Sequence, residues 1–298
     1  MTMGPDIRTL EARDRPALEG FLQRHAEGAM PLLAQLQRGG IVCEGLPHQA
    51  HYLGAFDRGL LTGVLALCSN DLVMLQCPLP DVLTRLIAVW KDWFEGGCIG
   101  LIGPRAQVEQ AAGLLGGEAL PFRLNNTEQI LTRDLQDPLP LLLSSQLVRP
   151  AMMDELEPLY GWRTAFFHET LSLPLTQELV EQARADLDAQ AATGRLALLT
   201  HNNVTVGMGL IMTELAGVAQ LGGLYVPPDL RQRGYGKALM AGLLHVAADR
   251  GNRKAMGMTT KRHVAINSAA TANGFKPYGD FCIILFDQPV SPPKIQLV

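Results

Sequence analysis

The chain has 298 residues, of which 47% are hydrophobic and 18% charged, with a formal net charge of −4. That length and apolar content suit two compact domains, and the slightly acidic balance argues against a nucleic-acid binder. No run of 18 apolar residues lacks charges or prolines, and MTMGPDIRTLEARDR has no apolar signal core, so neither a membrane span nor a leader is expected. Five scattered cysteines without a C-x-x-C pair point to a reducing cytoplasm, and neither they nor the seven histidines suggest a metal site.

In chain order, residues 7–10 read as a short strand, and helical patterns follow around Leu18, Phe21 and Leu22 and around Met30, Leu33 and Leu36. Tyr52–Phe56 and Leu60–Leu67 are strand-like and joined by the hairpin signal Asp57-Arg58-Gly59. Leu72–Gln76 is a strand stopped by Pro78, Asp81–Phe94 a helix, Ile99–Ile102 a strand, Ala106–Leu115 a helix and Glu128–Thr132 a strand. Asp137 to Gln146 has two prolines and no period, and reads as a linker.

The order then begins again. Leu147–Arg149 is strand-like, Asp154–Tyr160 starts a helix and Gln177–Ala192 forms a longer one. Leu196–Thr200 and Val204–Met212 flank the turn His201-Asn202-Asn203. After Leu221–Val226 and its helix come a strand over Ala255–Thr259, a helix over His263–Ala272 and a closing strand over Phe281–Phe286, then the proline-containing tail SPPKIQLV. Gly63 and Gly207 hold the same place in their hairpins. The expectation is a duplicated α+β unit, each copy a mixed, mostly antiparallel sheet flanked by helices, over residues 1–140 and 146–298.

One stretch carries chemistry. The apolar run Leu221–Val226 stops at Pro227-Pro228 and is followed by Arg231-Gln232-Arg233-Gly234-Tyr235-Gly236-Lys237 and a helical pattern through Leu239, Leu243 and Val246. A helix N-terminus offers unpartnered N–H groups and the positive end of the dipole. Gly234 and Gly236 let a ligand approach the backbone. Successive amides of this loop can wrap a pyrophosphate, and Arg231 and Arg233 add charge suited to it. Between Val226 and Arg262 there are 8 basic and 2 acidic residues, a local field that favours an anion. A dinucleotide fingerprint fails at Ala238 and Leu239, and a nucleoside-triphosphate loop fails because Ala238 follows Lys237.

The loop resembles the acyl-CoA motif Gln/Arg-x-x-Gly-x-Gly/Ala of the GNAT superfamily of N-acyltransferases, here Arg231 to Gly236, supported by Val226-Pro227-Pro228 and Asn273-Gly274-Phe275. The likeness runs from near Leu147 to near Phe286. It implies tandem GNAT-like domains with acetyl-CoA, or another acyl-CoA, as co-substrate and a small-molecule or peptide amine as acceptor. It implies that Gln232 to Lys237 hold the pyrophosphate, that the strand edge at Leu224, Tyr225 and Val226 pairs with pantetheine and polarises the thioester, and that this strand splays from Ala255–Thr259. Asn267 becomes a candidate pantetheine contact.

The family's usual acid, a tyrosine five residues before the phenylalanine, falls on Ala270. For a base, Glu214 is the candidate carboxylate, with Tyr225 and His263 next. Trp162, Phe166, His168 and Glu169 lie where the acceptor pocket is expected. The first half has Cys77-Pro78-Leu79-Pro80 at the loop position, without glycine or arginine and with two amide donors removed, so it reads as a copy without the acyl-CoA loop. A non-catalytic acyl-CoA-binding sensor is the alternative reading, and the oligomeric state is open.

Overall fold

A computed structural model describes residues 5–93, 97–117, 120–171 and 173–291. Phe94 and residues 292–298, which close a predicted helix and form the predicted tail, lie outside them. The chain forms two compact units. One comprises residues up to Ile130 joined by those from Tyr278 onward, and the other is Leu131–Pro277.

In the first unit the strands are β1 (Asp6–Thr9), β2 (Ala50–Asp57), β3 (Leu60–Cys68), β4 (Leu72–Gln76), β5 (Cys98–Pro104) and β6 (Phe122–Asp134), with helices α1 (Arg15–Arg24), α2 (Ala26–Gly39), α3 (Pro80–Trp93) and α4 (Arg105–Leu115). Strand alternation sorts the side chains between two faces. Leu53, Ala55, Leu65, Val73, Leu75 and Leu101 pack with Leu83, Leu86, Trp90, Val108 and Ala111 of α3 and α4. α1 and α2 pack on the sheet as well, where Gly28 approaches Gln76 of β4. The β2–β3 loop is Arg58-Gly59, both at positive φ, the two-residue turn whose twist matches a hairpin.

The second unit contains β7 (Gln146–Pro150), α5 (Leu159–Leu171), α6 (Gln177–Ala192), β8 (Leu196–His201), β9 (Val204–Leu215), β10 (Val218–Tyr225), α7 (Tyr235–Asp249), β11 (Lys254–Thr259) and α8 (Val264–Ala272). Its strand order is β11-β10-β9-β8-β7, with only β10 and β11 parallel. α7 and α8 bury Leu239, Leu243, Ala247, Ala269 and Ala270 in a core with Leu221 and Ala255. A separate core holds Leu159 of α5 and Leu187 of α6 with Leu198, Met208, Leu210 and Tyr225. Asn202 and Asn203, both at positive φ, repeat the hairpin turn of the first unit. A bulge next to the strand-end turn recurs at Ala55/Phe56 and Leu199/Thr200. The repeated element order expected from the sequence is present.

The ends of the repeat depart from expectation. The last strand, β12 (Lys276–Val290), was expected to close the second half but pairs antiparallel with β5, from Phe281↔Pro104 to Leu285↔Gly100. There it completes the first unit's order, β1-β2-β3-β4-β5-β12-β6, and adds Cys282, Ile284 and Phe286 to that core. The stretch from Leu131 in turn gives Leu131 and Leu135 to the second unit's core. The compact units therefore change at Ile130/Leu131 and Pro277/Tyr278, not at the proline-rich linker. An apolar strand of period two fits either sheet equally well, so pattern alone does not assign it.

Candidate acyl-CoA site

β10 ends at Tyr225, and Pro228–Leu230 makes one 3-10 turn before the loop. Gln232 and Gly234 both take left-handed backbone, φ 63° and 81°, with Arg233 between them. Such alternation turns successive N–H groups toward one concavity. Gly234 caps α7 without a side-chain hydrogen bond, and the first helical bond runs from Ala238 N–H to Gly234 O at 3.0 Å. The amides of Tyr235, Gly236 and Lys237 thus precede any possible intrahelical partner. A Cβ placed on Gly234 or Gly236 meets no atom within 4 Å, so the space before this turn is open.

The two arginines brace the loop as well as charging it. Arg231 Nε donates to Val226 O at 2.9 Å, and Arg233 Nη2 donates to Asp229 O at 3.1 Å. From behind, buried Asn273 donates through Nδ2 to Lys237 O at 3.0 Å and to Ala269 O at 2.8 Å, tying α8 to the first turn of α7. The sequence offered Asn273 only as part of a short motif. Its bracing role depends on α7 and α8 being neighbours.

The strand before the loop parts from β11. Their parallel ladder has three pairs, Val218↔Lys254, Ala219↔Ala255 and Gln220↔Met256, although β10 runs on to Tyr225 and β11 to Thr259. On its other side β10 shifts register against β9 between Gly222 and Tyr225, and Gly223 sits at φ 59°. A bulge bends the strand locally.

The first unit supplies an internal comparison. One residue past its last β4–β5 pair, a Cβ on Gly103 would lie 2.7 Å from Leu75 O, whereas the matching Cβ on Gly257 would lie 3.8 Å from Leu221 O. In the first unit, moreover, Gln107 Oε1 accepts from Cys77 N–H at 2.7 Å, so the strand end is already satisfied.

Asn267 lies on α8 near the end of β11. Its Nδ2 donates to Thr260 O at 3.0 Å, and its buried Oδ1 has no partner. An orphaned buried acceptor costs about 1–3 kcal/mol, so the position favours a ligand N–H. Ala270 is 2% exposed within the α7–α8 core and offers no proton. His263 is exposed.

Tyr225 is buried at the end of β10, on the side of α5. Its hydroxyl donates to Glu169 Oε1 at 3.3 Å, and Arg231 Nη2 donates to Glu169 Oε2 at 2.7 Å. The Arg231 guanidinium lies 5.5 Å from the Tyr225 ring centre, and the Trp162 ring lies 6.3 Å from it. Burial, then the nearby Glu169 charge, hold the phenol above its ordinary pKa. Trp162, Phe166 and Glu169 therefore do gather about the strand end. His168 instead has its Nδ1 2.8 Å from Leu173 O.

Glu214 does not join this group. It pairs across the sheet with Ala219, six residues before Tyr225 and thus about 20 Å along the strand. Arg250 Nε and Nη2 and Asn252 Nδ2 donate to its carboxylate at 2.9, 2.5 and 2.8 Å. Those bonds, Arg250 first, hold its pKa below the ordinary carboxylate value. A concavity of about 520 Å³ opens there between Glu214, Gly217, Arg250 and Asn252, away from the glycine loop. The expectation that Glu214 is the general base is corrected. Being the lone acidic residue of its region identifies it in sequence, but register and a bidentate arginine set its role.

Among the described residues no helix is long and apolar enough to cross a membrane. No curated protein is similar enough to match the chain. Residues 156–275 match the model of the acetyltransferase (GNAT) family. A GCN5-related N-acetyltransferase from Sphaerobacter thermophilus is similar over 98% of both chains, with 16% identity and a TM-score of 0.58. A GNAT-family acetyltransferase from Colwellia psychrerythraea is similar over 95% of this chain and 100% of its own, with 14% identity and a TM-score of 0.53. The loop, the parted strands and these likenesses agree: residues 156–275 match the GNAT acetyltransferase family model, and the chain has a tandem GNAT-like fold.

Proposed function

We propose that the protein transfers an acyl group, acetyl in the first instance, from acyl-coenzyme A to a primary amine on a small molecule or peptide. The observation that carries this is the opening between β10 and β11 directly before an unpartnered helix N-terminus. In this reading the amides from Gln232 to Lys237, with Arg231 and Arg233 beside them, hold the pyrophosphate. The freed edge at Leu224, Tyr225 and Val226 pairs with the pantetheine amides, and one N–H of that edge polarises the thioester oxygen. Asn267 Oδ1 accepts from a pantetheine N–H.

Bound acetyl-CoA supplies the activated carbonyl, and the amine attacks it directly without an acyl-enzyme. Tyr225 stands at this strand end, whereas Glu214 lies elsewhere. The first unit is proposed as a copy that has lost cofactor binding, because Gln107 and the prolines occupy its equivalent position.

Ala270 favours a second reading, a non-catalytic acyl-CoA sensor, because no tyrosine stands there to protonate the leaving thiolate. Thiol release from acetyl-CoA with a panel of primary amines separates the two. Release above the uncatalysed rate supports transfer. Tight acetyl-CoA binding with no release supports the sensor.

A further inference from the structure

The removal of Glu214 leaves the amine without a proton acceptor, and the α5 side of β10 supplies one. On the opposite side Leu221 is sealed against Leu239 and Leu243 of α7. An amine must therefore reach the parted strand from the side that carries Tyr225, Trp162, Phe166 and Glu169. Among the described carboxylates on α5 and α6, Asp186 receives Arg163, Asp188 receives the Tyr160 hydroxyl, and Glu169 alone bonds to a residue of β10.

We propose that Tyr225 and Glu169 form the proton route of the transfer, with the Tyr225 hydroxyl touching the amine and Glu169 receiving the proton behind it. The inference rests on the acyltransferase reading above.

The pair is built for this task. Tyr225 is 6% exposed and ends the strand whose edge faces the acyl group in that reading. The Glu169 side chain is 38% exposed, so it can pass a proton on to water. A phenol with a raised pKa is neutral near pH 7 and is a poor base by itself; it can take a proton only as it gives its own away. Glu169 Oε1 already accepts that hydroxyl. Arg231 holds the other carboxylate oxygen and fixes its direction. The remaining charged or titratable groups nearby are on α5. Arg163 lies beneath Gly223 and is paired to Asp186, and His168 is turned toward Leu173 O.

The step balances without an added reagent. The amine nitrogen bonds to the thioester carbon as the carbonyl π pair moves to oxygen. The proton leaving nitrogen goes to Tyr225 Oη while the phenolic proton goes to Glu169 Oε1. Return of the pair from oxygen breaks the C–S bond and releases the thiolate, which takes up the proton from Glu169 through solvent.

The test uses the full chain with acetyl-CoA as donor and hydroxylamine, a small nucleophile that needs no shaped pocket, beside a panel of primary amines. Glu169→Gln keeps the shape and one acceptor oxygen but cannot take up the proton, and it should lower kcat about 10²-fold while the acetyl-CoA Kd from calorimetry stays within about twofold. Tyr225→Phe should lower kcat similarly, and the double variant should be no slower than the worse single one, because residues acting as a unit are not additive. Glu169→Asp should recover part of the rate.

An unchanged kcat in Glu169→Gln overturns the proton route. So does a loss of acetyl-CoA affinity with kcat intact, which would mark Glu169 as only a tether for Arg231. If the unmutated protein binds acetyl-CoA but releases no thiol above the uncatalysed rate, the proton route falls and the sensor reading stands. If it does not bind acetyl-CoA, the cofactor reading itself falls.

Discussion

Gly234 shows how much one residue of the loop can decide. A Cβ there would meet no atom, so crowding within the protein is not what excludes larger residues. The constraint is the left-handed backbone, φ 81°, at the cap of α7. A β-branched residue resists that conformation, at a cost of about 1–3 kcal/mol. Gly234→Val should therefore turn several amides away and weaken acetyl-CoA binding more than tenfold, roughly what 1.4 kcal/mol corresponds to. Arg233→Ala removes one exposed charge and its bond to Asp229 O, and should weaken it less. Calorimetric titration of both variants, with melting curves to exclude unfolding, makes the comparison.

Residue identities also mislead when partners are unseen. The hydroxyl missing at Ala270 and the glycines of the loop were plain in the sequence. The arginine that holds Glu214 and its distance from the strand end were not, because neither pairing nor register is written in residue identity. Titration behaviour follows from the same pairings. Arg149 donates to both oxygens of Glu155, at 2.7 and 2.6 Å, and these hydrogen bonds, with the Met152 amide, lower its pKa from 4.5 to about 2. A carboxyl whose folded pKa is depressed adds stability above its unfolded pKa, and that stability is lost as pH falls through the folded value. The chain should lose stability between about pH 4.5 and 2, and Arg149→Met should flatten that slope in urea midpoints measured against pH.

Elements were legible wherever a periodic apolar pattern had its own stop signal. Gln177–Ala192 and Leu72–Gln76 have the expected bounds, the first with Thr176 capping Leu179 N–H at 3.2 Å. β6 is much longer than its apolar centre, because Phe122 to Asn125 is exposed and carries little pattern. Splaying of β10 from β11 was expected only by resemblance, since no local pattern encodes where a parallel ladder stops.

The packing of α7 on α8 offers an element-scale test. Asn273 is 1% exposed and bonds across to Lys237 O. Asn273→Ala should cost about 1–3 kcal/mol by removing its two buried side-chain hydrogen bonds, to Lys237 O and Ala269 O. It should also weaken acetyl-CoA binding, because the first turn of α7 loses its brace. A thermal melt that moves without any change in acetyl-CoA Kd would limit Asn273 to stability.

At the scale of the molecule, the duplication was readable from repeated element order, but the exchange of its ends was not. β12 belongs by sequence to the second half and by pairing to the first unit. Deleting residues 278–298 should therefore deprotect β5 amides to hydrogen exchange, although β5 lies some 170 residues away in the chain. Exposure confined to the second unit would contradict that assignment. The proposed function also divides the chemistry between the units: the same strand–helix junction is open in one and stopped by Gln107 and two prolines in the other.

Hydrogen–deuterium exchange of the full chain with and without saturating acetyl-CoA tests this division most directly. The account predicts slower exchange across Leu221–Lys237, including the amides before and at the start of α7, and no change across Leu72–Asp81 of the first unit. Protection at Leu72–Asp81, or exchange at Leu221–Lys237 that acetyl-CoA leaves untouched, would contradict it.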